Sequence, residues 1–188
     1  ICQKCRMAEA AELIEKYCNY TSETNPFVIA DLIMHHPGIA SYGIQHHWVV
    51  APSALAALRN LGFVSFDAAK MKALIARMDD LPFGVCGNRG DCGASLGAGI
   101  AVSAITELGF HTDKERSLML ETTARALLKL SAMPGVRCCK QSVYCALESV
   151  NEILHNYMGF GWANVKPVCT FSSVLKDCKA TDCPYYQP

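Results

Sequence analysis

The chain is short of several features that would name a class outright. Neither sign of charge is in surplus, since 17 Lys and Arg balance 17 Asp and Glu. No stretch gathers five or six basic residues, so the electrostatic footprint of a nucleic-acid binder is missing. No apolar run reaches the roughly 20 residues that a membrane helix needs; the longest, GASLGAGIAVSAI, is built of small residues. Strict apolar/polar alternation, the mark of strands, is scarce. With 51% hydrophobic and only 18% charged residues, the composition also excludes a disordered chain. What remains is a compact, folded, cytoplasmic body that neither spans a membrane nor reads nucleic acid.

What is present is helical periodicity, with Leu, Ile and Ala recurring three and four apart. The fold class is therefore all-α, a compact multi-helix bundle with an irregular cysteine-rich C-terminal tail. A first helix is expected over Ala8–Tyr20. Asn25 caps a second, with Pro26 at its first position, running to His35 or His36 before Pro37 and Gly38 stop it. After the loop GIASYGIQHHWVV, Pro52 opens a third that ends near Asn60, and Ser65 caps a fourth reaching Met78. A glycine-rich loop then turns helical from Cys92 to Leu108. Thr112 with Glu115 reads as a capping box for a sixth helix ending at Leu130. A seventh spans Cys138–Tyr157. The domain reading is a remnant of a metal-binding N-terminal segment over residues 1–7, a helical core over 8–161, and a cysteine-rich tail over 162–188 packed on the core. A chain opening on Ile1 is expected to be preceded by an upstream segment.

Eleven cysteines exceed what packing requires, and they lie among helical patterns rather than in a short loop-rich scaffold, so reduced thiols serving as metal ligands are the better reading. Cys86 and Cys92 sit among Gly84, Gly87, Gly90 and Gly93, a density that lets backbone N–H groups approach a bound group. Gly87, Gly90 and Gly93 are the expected cradle. Cys92 falls at a helix start, where the dipole favours thiolate. Cys138 and Cys139 open the last long helix beside Arg137 and Lys140, which favours thiolate again. Adjacent helical side chains diverge by about 100°, so both can serve one group only where the helix has not yet begun. Cys145 and Cys18 read as core. Cys169, Cys178 and Cys183 lie in a tail with little apolar material, which a metal would order; three thiols there need a fourth ligand. Cys2 and Cys5 have the spacing of half a zinc ribbon. The histidine doublets His35-His36 and His46-His47 flank one loop, and His46 and His47 are the candidates for a site role.

Four separated segments, HHPGIASYGIQHHWVVAPSALAALRN, GVCGNRGDCGASLGAGIAVSAI, MPGVRCCKQSVYCALE and CTFSSVLKDCKATDCPYY, together resemble a family of cysteine-rich domains of unknown function from anaerobic prokaryotes. The resemblance implies a stand-alone protein or a fusion partner of methyltransferase domains, with a zinc-ribbon-like N-terminus of which ICQKC is the final pair. The glycine loop is similar, more loosely, to the Cys-Gly-Ala-x-x-Gly loop of redox proteins that bind clusters or haem.

Three functions compete. In the first, Cys86, Cys92, Cys138 and Cys139 hold a [4Fe–4S] cluster, and His46 or His47 borders an open iron that takes a small or sulfur-containing substrate in sulfur-transfer, lyase or redox chemistry. In the second, Cys92 is a nucleophile with His46 or His47 as its base and the glycine-loop N–H groups stabilising negative charge. The third is a zinc-stapled module that binds a methyltransferase or redox partner. The first is the expectation favoured here.

Overall fold

The computed structural model of the chain describes residues 3–79, 81–107 and 113–188, with only the backbone of residues 3–7 and 115. Eight helices follow one another: α1 Gln3–Tyr20, α2 Pro26–His35, α3 Val50–Asn60, α4 Ala68–Ala76, α5 Val85–Asn88, α6 Gly93–Thr106, α7 Asp113–Ser131 and α8 Cys139–Ile153. Among the described residues there is no strand, and the one β feature is an isolated parallel bridge between Cys169 and Tyr186. The all-α bundle is what the apolar spacing predicts. No described helix is long and apolar enough to cross a membrane.

Local chemistry explains where the helices begin. Asn25 Oδ1 accepts the Phe27 N–H at 3.0 Å, and Pro26 occupies the first position, where its missing donor costs nothing. α4 starts later than expected, because Asp67 rather than Ser65 caps it and accepts the Lys70 N–H at 2.8 Å. α3 starts earlier, at Val50; Pro52 is then still inside the first turn, whose N–H groups have no helical partner. Part of the expected loop is itself ordered as a 3-10 turn, Ile44–Trp48, that leads into α3. α1 is described from Gln3 onward and includes Cys5. The Cys5 side chain, Cys2, and the capping residue Thr112 lie outside the described residues.

α8 is the central element. Thirteen of its fifteen residues are buried, which marks a helix surrounded on all sides rather than one lying on a surface. It packs with α6 and α7, and α3 packs on α6 and carries α2 on its flank. The approach of α6 to α7 depends on Gly99, where a Cβ would stand 2.3 Å from Thr123 Oγ1. α8 continues into one π-helical turn, Leu154–Met158, that ends at Gly159 with φ +73°.

The tail corrects an expectation. It is irregular, but Trp162, Phe171, Leu175 and Tyr185 are all buried, so the segment carries apolar anchors of its own. The Phe171 ring stacks on His35 at 4.0 Å between centroids, and Tyr185 packs edge-on against Tyr144 at 5.2 Å. Any metal there adds to this docking rather than replacing it.

Candidate functional site

Two helix starts build the site. Cys92 and Cys138 are the extended residues immediately before α6 and α8, where unpaired backbone N–H groups carry partial positive charge. Both starts open onto one cavity of about 240 Å³ whose wall includes Cys86, Cys92, Cys138, Cys139, His46 and His47. Residues far apart in the chain thus share one space. Among the described residues no Asp or Glu lines it, and Arg137 is the one Lys or Arg that does. The mouth is shared with an open depression bordered by Phe83, Gly87 and Arg137. There the Arg137 guanidinium stands over the rings of Tyr42 at 5.8 Å and Phe83 at 5.5 Å, a geometry that holds a cation in place.

The glycines divide by role. Gly93 is buried against His47, and a Cβ there would fall 2.2 Å from the imidazole Cγ. Gly87 lines the cavity, whereas Gly90, at φ +68°, is exposed and does not. Gly90 turns the chain towards α6. Because the His47 ring cannot yield without leaving the cavity wall, Gly93→Ala should lower stability by roughly 1–3 kcal/mol, the usual cost of overpacking, measured as a shift of the thermal unfolding midpoint. An unchanged midpoint would show that His47 is free to move away.

The two histidines of the second doublet are not equivalent. His46 is almost fully buried; its Nδ1 lies 3.2 Å from the Gly43 carbonyl and its Nε2 lies 3.0 Å from Lys140 Nζ. With the ammonium donating to Nε2, Nδ1–H donates to Gly43. Burial, then the Lys140 charge, push the His46 pKa down to about 3, so it stays neutral with both nitrogens engaged. His47 is also shifted downward by burial, with Asp91 opposing. Its Nδ1 is buried without any hydrogen-bond partner, which makes His47 the member of the pair with a free ring nitrogen. The first doublet serves structure. His35 Nε2 meets Thr170 Oγ1 at 2.7 Å and His36 Nδ1 accepts the Gly38 N–H at 3.0 Å.

Burial raises the Cys139 thiol pKa, and the Gly43 amide, Arg137 and Lys140 oppose that rise. Cys145 is pushed up to about 11 by burial, and Cys18 is also raised by burial. Both are buried core residues, as their helical positions predict. Cys169, Cys178 and Cys183 border a second, much smaller cavity of about 20 Å³, and Cys138 borders both cavities. As their side chains stand, no three His, Cys, Asp or Glu residues among those described are grouped to hold a metal ion. The donor chemistry of the larger cavity nevertheless fits a thiolate-bound group: four thiols, an orphaned buried imidazole nitrogen and no competing carboxylate.

One residue escaped the sequence reading. Lys140 registers there only as a positive neighbour of the cysteines, yet it is 1% exposed. Its ammonium donates to the Ser41 carbonyl and to His46, and it lies 4.9 Å from the Phe171 ring centroid. Its place in the first turn of a helix, between Cys139 and Gln141, is the only signal the sequence offers.

Fold and site together define an all-α domain in which two cysteine-bordered cavities meet at the start of one buried helix. The chain belongs to the family described as Family of unknown function (DUF5714), whose model matches residues 14–186. No curated protein and no solved structure matches it.

Proposed function

We propose that the protein binds an iron–sulfur cluster in the larger cavity and acts as a sulfur-transfer, lyase or redox component of methyl or cofactor metabolism in an anaerobic cytoplasm. The observation that carries this reading is the wall of that one cavity, which cysteines of the glycine loop and of the start of α8 line together, with two helix N-termini beside it. Cys86, Cys92 and Cys139 would hold the group, with Cys138 placed to join them. N–H groups at the starts of α6 and α8, and the Gly43 amide at Cys139, would offset its negative charge. When bound, the cluster supplies electron transfer or a Lewis-acidic iron. His47 borders the same space, and Arg137 at the mouth suits a small substrate bearing a carboxylate or a thiolate. A methyltransferase or redox partner is consistent with such a role.

The test is anaerobic purification followed by iron and acid-labile sulfide analysis. A brown protein is expected, and Cys92→Ser should lose its iron while the helical far-ultraviolet signal stays nearly unchanged. A preparation that remains iron-free after anaerobic reconstitution with iron and sulfide would sink the reading.

A second reading is favoured by one observation, the unpartnered His47 Nδ1 on the wall that Cys92 shares. There the imidazole would serve as base for a Cys92 nucleophile. It requires that metal-free protein be alkylated by iodoacetamide at Cys92, and that His47→Ala slow this reaction. Equal rates in the two proteins would dismiss it.

A further inference from the structure

We propose that Cys138, Cys169, Cys178 and Cys183 form a tetrathiolate site for a single zinc ion, which fastens the C-terminal segment to the first turn of α8. All four cysteines border the small cavity. Its volume of about 20 Å³ has room for one water-sized occupant and not for a multi-iron cluster. Tetrahedral four-sulfur coordination is the signature of structural zinc.

Two of the four sulfurs already accept hydrogen bonds of the kind that stabilise metal thiolates. The Ala180 N–H donates to Cys178 Sγ at 3.4 Å, and Gln141 Nε2 donates to Cys183 Sγ at 3.3 Å. The donor to Cys178 lies two residues further on, so that sulfur is presented on a turn whose amide points back at it. Burial raises the Cys169 thiol pKa, and the Phe171 backbone opposes that rise. The fourth, Cys138, stands at the N-terminus of α8, where the helix dipole favours an anion.

The surroundings contain a cation in need of an anion. The Lys140 ammonium is buried, and both groups that accept from it, the Ser41 carbonyl and the neutral His46, are uncharged. Among the groups whose charge it feels are the thiols of Cys138, Cys139 and Cys169, and Asp31; the Asp31 carboxylate is already held by Tyr144 and Thr170. Buried charges are paired or ligate metals. Zinc with four thiolates carries a net charge of about −2, and Lys140 beside it neutralises part of that. Binding converts four thiols and one zinc ion into this dianion and releases four protons to solvent.

The backbone around the site is set. Gly135, at φ +80°, lies under the Lys179 side chain so closely that a Cβ would come within 1.8 Å of Lys179 Cε, so the loop that carries Cys178 and Cys183 touches the turn before α8. The four sulfurs do not point at one centre as their side chains stand, so zinc binding would require each cysteine to turn to a rotamer that faces the small cavity. With Cys138 assigned here, Cys86, Cys92 and Cys139 are left for the larger cavity. The zinc site stands whether or not that cavity takes a cluster.

The experiment loads the full-length chain, prepared metal-free under anaerobic conditions, with Zn²⁺, and in parallel with Co²⁺ as a spectroscopic reporter. About one zinc per chain is expected, and the cobalt form should show tetrahedral ligand-field bands with sulfur-to-metal charge transfer of four-thiolate intensity. Cys138→Ser, Cys178→Ser and Cys183→Ser should each lose the ion, while Cys139→Ser and Cys92→Ser retain it. A cobalt spectrum with fewer than four sulfurs, which is read on the unaltered protein and needs no variant to fold, would overturn the assignment. So would retention of zinc by Cys138→Ser, loss of zinc in Cys139→Ser alone, or recovery of the tail cysteines as a disulfide from anaerobic protein. Loss of iron but not zinc in Cys92→Ser separates this site from the proposed cluster.

Discussion

Tyr144→Ala is expected to destabilise the protein by roughly 3–5 kcal/mol, as removal of a large buried aromatic does, and to release the C-terminal segment from the helices. Tyr144 is 1% exposed on α8. One side of its ring meets Phe27 of α2 at 6.4 Å between centroids, another meets Tyr185 of the tail at 5.2 Å, and its hydroxyl donates to Asp31 Oδ1 at 2.6 Å. The same carboxylate accepts from Thr170 at 3.2 Å. The ring is therefore the common contact of α2, α8 and the tail, and the cavity left by alanine would lie between elements that no short connection holds together. Urea unfolding should show a lowered midpoint, and limited proteolysis should cut the segment after Trp162 faster. Tyr144→Phe keeps the ring and loses only the hydroxyl, so about 1–2 kcal/mol should go with the tail still protected. If the alanine variant were proteolysed no faster than the unaltered protein, the tail would be held by something other than this aromatic junction.

Such long-range junctions mark where the sequence stops being legible. The class and the helix order can be read because apolar spacing and caps are local: Asn25 and Pro26 announce α2 through a bond to Phe27, two residues away. Where a second side chain able to cap lies two residues beyond the expected one, as Asp67 does after Ser65, only the backbone decides which oxygen meets a free N–H. The 3-10 turn Ile44–Trp48 is too short to show any period. The tail's anchors, Trp162, Phe171, Leu175 and Tyr185, are spread without periodicity over an irregular stretch, so composition reads them as a weak segment when they are core.

The site divides in the same way. That Cys86, Cys92, Cys138 and Cys139 each lie where anions are attracted is readable in sequence, since glycine loops and helix starts attract anions and the chain places its cysteines at both; that they line one cavity depends on how α6 and α8 pack. How the adjacent pair is shared between two cavities is not readable. It depends on the first turn of α8 and on a tail some thirty residues further along, a contact between irregular segments that no period announces. Nor does spacing reveal that His46 is spent on Lys140, which lies 94 positions away, and that His47 keeps the free nitrogen.

Lys140→Met should separate the metal-loaded protein from the metal-free one. In the metal-free protein the substitution has opposing consequences. It leaves the Ser41 carbonyl and His46 Nε2 without their donor, at about 1–3 kcal/mol for each buried acceptor. It also removes a buried ammonium whose desolvation alone costs several kcal/mol. Burial already lowers the Lys140 pKa, which is that desolvation seen from the proton's side. These terms oppose one another, and a small net change in stability is expected. In the loaded protein the balance tips, because the ammonium is then the counter-charge of a buried tetrathiolate and its loss leaves that anion uncompensated, at roughly 1.4–2.8 kcal/mol of binding free energy. Zinc affinity should accordingly fall by about 10–100-fold, the usual effect of losing an outer partner of a metal site. Chelator competition reads the affinity, and urea unfolding with and without zinc reads the two stabilities. A loss of equal size in both forms would mean that Lys140 answers to its neutral acceptors alone, and that no anion at the start of α8 accounts for a lysine buried there.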